Sequence, residues 1–323
     1  MIIDKFIVHM LDINLDKPML ADFIGKDYSD VDKFLKKLIT KCKKNDETMR
    51  AKWKYSEGFI QDCCNSIFLD EDNFTNASKQ IAAHYYELMA HNNILEPVTL
   101  VICQYTVNAT QNIVIMRLEN KKTYNTTVDF IGDKFNINII ENNKTISTTL
   151  KQCALIHEPN LASLYDLVIL NKESNEQSLF INEFLKAEII RDDTYKTRVF
   201  IDIAQMYIDV GFDKMDKKEA AINTLQCMLD TTSNMDINKF IAISDIDGDI
   251  RRTLEKYDIY DSFNIDKKVV EKEFKQRSIK TDTGFVIKNK FNAFKDSSKY
   301  RIINNPDGTT DLLIKNIQYF KEG

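Results

Sequence analysis

Glycine and proline are scarce in this chain, whose 323 residues include 8 glycines and 4 prolines. Collagen-like, linker-rich and propeller-like folds depend on these residues at their turns, so the composition excludes such folds. Regular elements must therefore be long and their connections short. Hydrophobic residues make up 43% of the chain, which is enough to form a core and excludes a disordered protein. The length predicts two domains, or one domain with a large subdomain.

Long hydrophobic runs are absent as well. The longest apolar runs, such as residues 113–116, are far shorter than the ~20 residues that a membrane span needs. Residues 1–5 lack the basic region and the apolar stretch that begin a signal peptide. We therefore expect a cytoplasmic protein with no membrane partner.

The cysteines and histidines lack the spacing of a metal site. Cys63 and Cys64 are adjacent, but no second pair of cysteines or histidines lies at ligand spacing. Cys103 and Cys153 lie within apolar stretches, where a buried free thiol is usual. The residues predicted to be structural, with no metal and no cofactor, are Cys42, Cys63, Cys64, Cys103, Cys153, Cys227, His9, His84, His91 and His157.

The common catalytic motifs are missing too. The sequence has no glycine-rich nucleotide-binding loop, no nucleophile-elbow serine and no zinc-protease helix motif. Residues 245–249, with Glu255 beyond them, are similar to a calcium loop, but the early glycine favours a loop before a helix. Glu271, Glu273 and Lys275 follow the pattern of metal-dependent nucleases, but on a predicted helix they favour a solvated ion-pair face. We predict that the protein is not an enzyme, and a metal-dependent nuclease is a remote alternative.

Hydrophobic periodicity assigns mixed elements to the N-terminal half. The predicted helices run from Ser29 or Asp30 to about Trp53, and from Asn73 or Thr75 to residues 91–93. The predicted strands are residues 5–12, 99–107, 112–118, 124–130, 135–140, 150–156 and 165–170. Residues 108–111 are predicted to be a hairpin connection between two of these strands.

A polar stretch at residues 171–175 gives the predicted domain boundary. Helices are predicted beyond it, over residues 179–190, 195–208, 217–231, 250–260 and 266–277, followed by strands at Phe285, Tyr300 and Leu312. The prediction is an N-terminal α+β domain, residues 1–174, and a helical domain ending in a three-stranded sheet, residues 175–323. The fold class is α+β, with a mixed N-terminal half of helices and antiparallel sheet, a helical segment and a small C-terminal antiparallel sheet.

Charge is segregated along the chain. The net charge of −5 by itself argues against a strongly basic nucleic-acid binder. However, residues 32–54 carry nine Lys and Arg residues against three acids, and residues 264–301 carry eleven against five. The rest of the chain is strongly acidic. Such segregation is what electrostatic steering toward a polyanion needs.

Helix and strand spacing place basic residues on two candidate DNA-binding faces. The stripe on the first predicted helix, opposite its apolar residues, comprises Lys33, Lys37, Lys41 and Lys44. The face on the C-terminal strands, predicted to be the main phosphate-binding surface, comprises Lys288, Lys290, Lys299 and Arg301. The apolar residues expected to pack inward behind that face are Phe285, Ile287, Tyr300 and Ile302. An ordinary solvated surface is the alternative for both faces.

Three groups of segments carry a family resemblance. They are the strand at residues 6–11 with its central His9, the apolar pair of residues 100–105 and 113–118, and the terminal segments 284–287, 300–302 and 306–315. In order and spacing they resemble the opening strand, the long hairpin and the three closing strands of the bacterial 37-kDa nucleoid-associated protein family. The resemblance covers nearly the whole chain. It implies a cytoplasmic protein that associates with the nucleoid and binds DNA, with no catalytic residues.

These observations predict a non-enzymatic, nucleoid-associated protein that binds double-stranded DNA. Phosphate contacts from Lys and Arg would supply the affinity, with weak sequence preference. The alternative is a protein-interaction adaptor that DNA-handling enzymes recruit to the nucleoid, its acidic surface facing basic partners. Homo-oligomerisation is left open.

Overall fold

The computed structural model of the chain describes residues 1–26, 29–54, 58–131, 134–146, 149–160, 162–172 and 178–319. The chain forms two compact units, residues 1–190 and 191–323. Both contain helices and antiparallel strands, which confirms the predicted α+β class. The predicted domain boundary, between residues 174 and 175, lies outside the described residues and stays a prediction. No helix in the described ranges is both long enough and apolar enough to cross a bilayer.

Among its described residues, the first unit contains a large antiparallel sheet and three α-helices. Its elements are β1 (Ile2–Leu11), α1 (Ser29–Lys44), β2 (Met49–Trp53), α2 (Phe59–Leu69), α3 (Phe74–His91), β3 (Val98–Val107), β4 (Thr110–Ile131), β5 (Lys134–Ile146), β6 (Gln152–His157), β7 (Leu167–Asn171) and β8 (Ala187–Ile189). A 3-10 helix (Glu71–Asn73) precedes α3, and a π-helical turn (Leu179–Leu185) precedes β8. Seven strands pair in the order β1-β3-β4-β6-β7-β2-β8, and β5 pairs with β4.

Helices cover both faces of this sheet because its central strands are apolar at nearly every position. Along β3, Leu100 and Ile102 point to one face, whereas Val101 and Cys103 point to the other. α2, α3 and the π-helical turn pack on the first face, and α1 packs on the second. The first unit is therefore a three-layer arrangement with the sheet in the middle.

A two-residue turn joins β3 to β4 and sets their register. Asn108 and Ala109 both have positive φ, 50° and 64°. A two-residue turn of type I′ requires this left-handed conformation at both positions, and its twist matches that of the strands. Val107 pairs with Thr110 across the turn, which confirms the predicted hairpin.

β4 extends well beyond the sheet. Residues 110–119 pair with β3, and residues 112–117 also pair with β6 on the other side. Residues 120–131 pair with β5. We call this two-stranded extension, residues 120–131 and 134–146, the β4–β5 arm. The sequence predicted separate strands at residues 112–118 and 124–130, but the structure joins them into one.

The second unit is mainly helical and ends in two hairpins. Its elements are α4 (Asp193–Gly211), α5 (Met215–Thr231), β9 (Asn234–Asp236), α6 (Ile237–Ser244), α7 (Ile250–Glu255), β10 (Ser262–Asn264), α8 (Lys267–Glu273), β11 (Gln276–Lys280), β12 (Val286–Lys290), α9 (Phe291–Lys295), β13 (Tyr300–Asn304) and β14 (Thr310–Ile314). Phe200 of α4 lies at the centre of the helical core, with ring contacts to Phe240 and Phe263. A smaller cluster around Ile279 and Phe294 anchors the hairpins.

Two of the helix predictions are wrong, because each predicted range also includes a strand. The first ends at Lys44 and not near Trp53, since Met49, Ala51 and Trp53 alternate into the core as β2. The predicted helix over residues 179–190 is a π-helical turn followed by β8. Lys186, with φ of 50°, is left-handed and ends the helical turn. The helices predicted over residues 250–260 and 266–277 exist but are shorter, and α2, α6 and α9 were not predicted.

The predicted three-stranded C-terminal sheet is also wrong. In this part of the chain, which the structure describes through residue 319, β11 pairs with β12 and β13 pairs with β14 as separate two-stranded sheets. Tyr300 is buried, and Ile287 and Ile302 are half-buried, as predicted. Phe285 was expected to pack inward, but it lies in the turn before β12 and is 71% exposed.

Candidate nucleic-acid interface

α1 presents one apolar face and one basic face. Its buried residues, which pack on the sheet, are Leu35, Leu38, Ile39 and Cys42. Asp30 and Asp32 lie in its first turn and its last turn is basic, an arrangement that the helix dipole favours. The predicted stripe is exposed on the opposite face, as helical spacing requires, and comprises Lys33, Lys37, Lys41 and Lys44.

An open depression of about 820 Å³ lies along this basic face. We call it the lysine groove. Its lining residues are Lys33, Lys36, Lys37, Thr40, Lys41, Lys44, Asn45, Asp46, Glu47 and Lys172. Lysines therefore outnumber carboxylates by six to two, and the groove is positive. Lys172 follows β7 and is far from α1 in sequence, so only folding brings it to the groove.

Three lysines of the groove form ion pairs, of which those of Lys33 and Lys172 are exposed and that of Lys36 is half-buried. These ion pairs join Lys33 to Asp30 at 3.6 Å, Lys36 to Asp32 at 2.8 Å and Lys172 to Glu47 at 3.3 Å. Among the described residues, no carboxylate forms an ion pair with Lys37 or Lys44. Exposed pairs contribute at most about 1 kcal/mol each, so a phosphate can replace the carboxylate at little cost in stability.

The sheet adds two basic residues on the same side as α1. Ala51 of β2 points into the core beneath α2 and α3, so its neighbours Arg50 and Lys52 point to the α1 face. Both are exposed, and the Arg50 guanidinium lies 5.4 Å from the ring centre of Tyr165. Sequence analysis missed this placement because it extended the first helix through residue 53. The signal that could have found it is the alternation of apolar and basic residues over residues 49–53.

The structure places two of the C-terminal candidates on one hairpin face. Lys288 and Lys290 lie on β12, directly opposite Ser278 and Gln276 of β11. Lys280 lies on the same face, because it is opposite Val286. All three lysines are exposed. The first C-terminal hairpin therefore carries a small basic face that includes Lys280, which sequence analysis did not assign.

The other two C-terminal candidates lie on the second hairpin. Lys299 Nζ is 3.1 Å from Asp296, and Arg301 Nε donates a hydrogen bond of 3.2 Å to the Ser297 carbonyl. Arg301 is opposite the apolar Leu313 of β14. The structure thus does not bring the four C-terminal candidates onto one sheet, whereas it does bring the four α1 candidates into one groove.

The cysteines and histidines form no site in the described residues. Five cysteines are buried, and only Cys227 is exposed. Burial raises the pKa of the Cys63 thiol to about 11 and the pKa of Cys64 further, so both are poor nucleophiles. In the part of the chain that the structure describes, no three His, Cys, Asp or Glu side chains come close enough together to hold a metal ion.

The two acidic motifs lie on the surface of the second unit. Residues 245–249 form a loop before α7, as predicted, and Asp249 is the residue before the first turn of that helix. Glu271 and Glu273 lie on α8, and Glu271 is exposed. Neither motif belongs to a described group of converging carboxylates.

One protein family matches the chain over nearly its full length. The sequence model of that family, described as nucleoid-associated protein YejK, matches residues 7–321. The matched range includes α1, the residues that line the lysine groove and both C-terminal hairpins. None of the curated proteins matches the chain.

Proposed function

The chain belongs to the family of nucleoid-associated protein YejK, and from this membership we propose that it binds double-stranded DNA directly, without enzymatic activity. The lysine groove is the observation that carries the proposal. Its six lysines come from α1 and from the end of β7, and the exposed Arg50 and Lys52 lie on the same side of the sheet. Such a cluster attracts a polyanion even though the whole chain is acidic.

Binding through this groove is expected to depend on phosphates and only weakly on sequence. Lysine ammonium groups act as point charges, and they lack the planar fork with which arginine reads guanine. The carboxylates beside Lys33 and Lys172 are held by exposed ion pairs, in which a DNA phosphate can replace the carboxylate. Affinity should therefore come from the release of counterions from DNA, and it should fall steeply with salt.

A salt titration on duplex DNA tests the proposal. The dissociation constant of the wild type and of the variant Lys33→Gln, Lys37→Gln, Lys41→Gln, Lys44→Gln is measured at several salt concentrations. The slope of log K against log salt should flatten by about 0.9 for each lysine–phosphate interaction that the variant removes, or roughly 3 to 4 in total.

A matched control separates the groove from the overall charge. The variant Lys17→Gln, Lys217→Gln, Lys239→Gln, Lys256→Gln removes the same number of charges from exposed positions outside the groove. It should keep the wild-type slope. Equal effects of the two variants would reject the groove as the contact surface, and a wild type that does not bind duplex DNA would reject direct binding.

The adaptor function is a second candidate because of the acidic remainder of the chain. Outside residues 32–54 and 264–301, 41 acidic residues face 24 basic ones. A surface of this kind suits a basic protein partner such as a DNA-handling enzyme. Pure protein passed over immobilised duplex at low salt distinguishes the two functions, since an adaptor is retained only when its partner is present. Cleavage of DNA that depends on added magnesium would instead favour the nuclease alternative.

A further inference from the structure

The β4–β5 arm exposes apolar side chains on both of its faces. Ile137 and Ile139 of β5 are two residues apart, so they share one face, and they are 64% and 72% exposed. Ile140 lies on the opposite face and is 47% exposed. Two of these isoleucines have polar partners on the neighbouring strand, since Ile139 is opposite Thr126 and Ile140 is opposite Asn125 of β4.

A ribbon of this kind is not stable by itself in water. Two-stranded hairpins without a packed face are marginal at best. Of the described strands, β5 pairs with β4 alone, and β4 residues 120–131 pair with β5 alone, so no further described strand adds to either outer edge of the arm. Open edges together with exposed isoleucines indicate that the arm is covered by another surface when the protein functions.

The charge of the arm argues against DNA as that surface. Residues 120–146 contain four lysines and three acidic residues, so the arm is close to neutral. A DNA-binding arm needs a clear excess of positive charge, as the lysine groove has. A nearly neutral surface that exposes Ile137, Ile139 and Ile140 is closer in character to a protein–protein interface than to a DNA-binding face.

The size of the arm matches what a stable dimer needs. At roughly 3.3 Å per residue and about 5 Å between strands, the arm is about 40 Å long and about 10 Å wide. Each face therefore offers roughly 400 Å², and two covered faces offer about 800 Å² per partner, the size of a standard specific interface. In a dimer with a two-fold axis, the arm of each copy contacts the other copy in the same way. Both arms are then used, and the assembly is closed at two subunits.

We propose that the β4–β5 arm is a dimerisation element, covered on both faces by a second copy of this chain. Each arm reaches over its partner and buries Ile137, Ile139 and Ile140. This inference is independent of DNA binding, because the arm shares no residue with the lysine groove.

Sedimentation equilibrium of the full chain tests the proposal. The wild type should sediment at twice the 37.6 kDa of one chain. The variant Ile137→Asn, Ile139→Asn should sediment as a single chain. The control variant Val210→Asn, Ile243→Asn changes two exposed apolar residues of the second unit, 82% and 54% exposed, and should remain a dimer.

Hydrogen exchange gives a readout that needs no variant. Amides of residues 137–140 should exchange more slowly as the wild-type concentration rises through the dimerisation range, because the partner covers them. A wild type that is a single chain at all concentrations would overturn the proposal. So would an arm variant that stays dimeric, or exchange at residues 137–140 that does not change with concentration.

Discussion

His9 is a buried histidine whose ring has one defined partner. Its Nδ1 accepts a hydrogen bond of 3.1 Å from the Ala21 backbone N–H, so the proton of the neutral ring lies on Nε2. Burial, and then the nearby charge of Lys79, lower the pKa of His9 to about 4. The ring is therefore neutral in the folded protein at pH values where it would begin to be protonated in the unfolded chain. The family resemblance of the first strand includes this residue, and the structure shows that it is a core residue.

Stability should fall as the pH is lowered from about 6.5 to about 4. In that range the unfolded chain takes up a proton at His9 and the folded protein does not, so the free energy of unfolding decreases, and this contribution levels off below pH 4. The full effect is about 3 kcal/mol, since each pKa unit corresponds to about 1.4 kcal/mol. Urea unfolding of wild type and His9→Asn across this range measures it.

The asparagine keeps an acceptor near Nδ1 but does not titrate, so its unfolding free energy should depend less on pH. His91→Asn is the control, because His91 is exposed at the end of α3 and should leave the wild-type profile unchanged. An unchanged pH dependence in His9→Asn would show that other groups cause the loss of stability in acid.

At the scale of elements, α1 has one apolar face and one basic face. The apolar face packs on the sheet, whereas the lysines line the groove. Replacing Lys33, Lys37, Lys41 and Lys44 by Gln should change the free energy of unfolding by at most about 0.5 kcal/mol per residue. Lys41 and Lys44 should account for most of the change, because charges in the last turn stabilise the helix dipole.

Leu38→Ala gives the contrasting result for the same helix. Leu38 is 1% exposed, so its truncation leaves a cavity and should destabilise the protein by about 2–5 kcal/mol. Urea unfolding at neutral pH checks both variants. If the free energy of unfolding of the lysine variant fell by several kcal/mol, the lysines would be needed for folding. The salt titration of that variant would then no longer report on DNA contacts alone.

The sequence predicts elements well where one pattern runs for many residues. The apolar residues of α1 recur at helical spacing, and two runs rich in Val and Ile flank residues 108–111, so α1 and the hairpin were both predicted. It fails where a short strand directly follows a helix or a helical turn. β2 and β8 contain five and three residues, too few for alternation to stand out from the preceding helical pattern.

The candidate site was predicted only in part, because local spacing is visible in the sequence and tertiary pairing is not. The α1 stripe depends on local spacing alone, and the structure confirms its geometry. Lys172 and Lys280 join the basic faces through tertiary pairing, and the C-terminal face fails as one surface because pairing chose β11 as the partner of β12. Spacing along a chain fixes the side of an element on which a residue lies. It does not fix which element lies beside it.

At the scale of the whole molecule, an acidic chain carries separate basic surfaces. The net charge of −5 repels DNA at long range, and salt weakens this repulsion beyond a Debye length of about 10 Å at 0.1 M. The lysine groove acts at short range, where its own charge dominates. We therefore expect the protein to bind DNA where the lysine groove contacts the phosphate backbone, and not to coat the duplex uniformly.

The C-terminal hairpins should contribute to DNA binding unequally. Lys288 and Lys290 share an open face with Lys280, so Lys288→Gln, Lys290→Gln should flatten the salt slope by about 2, at about 0.9 per phosphate contact. Lys299→Gln, Arg301→Gln should change it less, because these side chains already contact Asp296 and the Ser297 carbonyl. Salt titrations of both double variants on one duplex measure the two contributions.

If these hairpins and the lysine groove contact phosphates independently, the effects of Lys288→Gln, Lys290→Gln and of the groove variant should add. No change in slope for either hairpin variant would exclude the predicted C-terminal phosphate surface and leave the lysine groove as the remaining candidate.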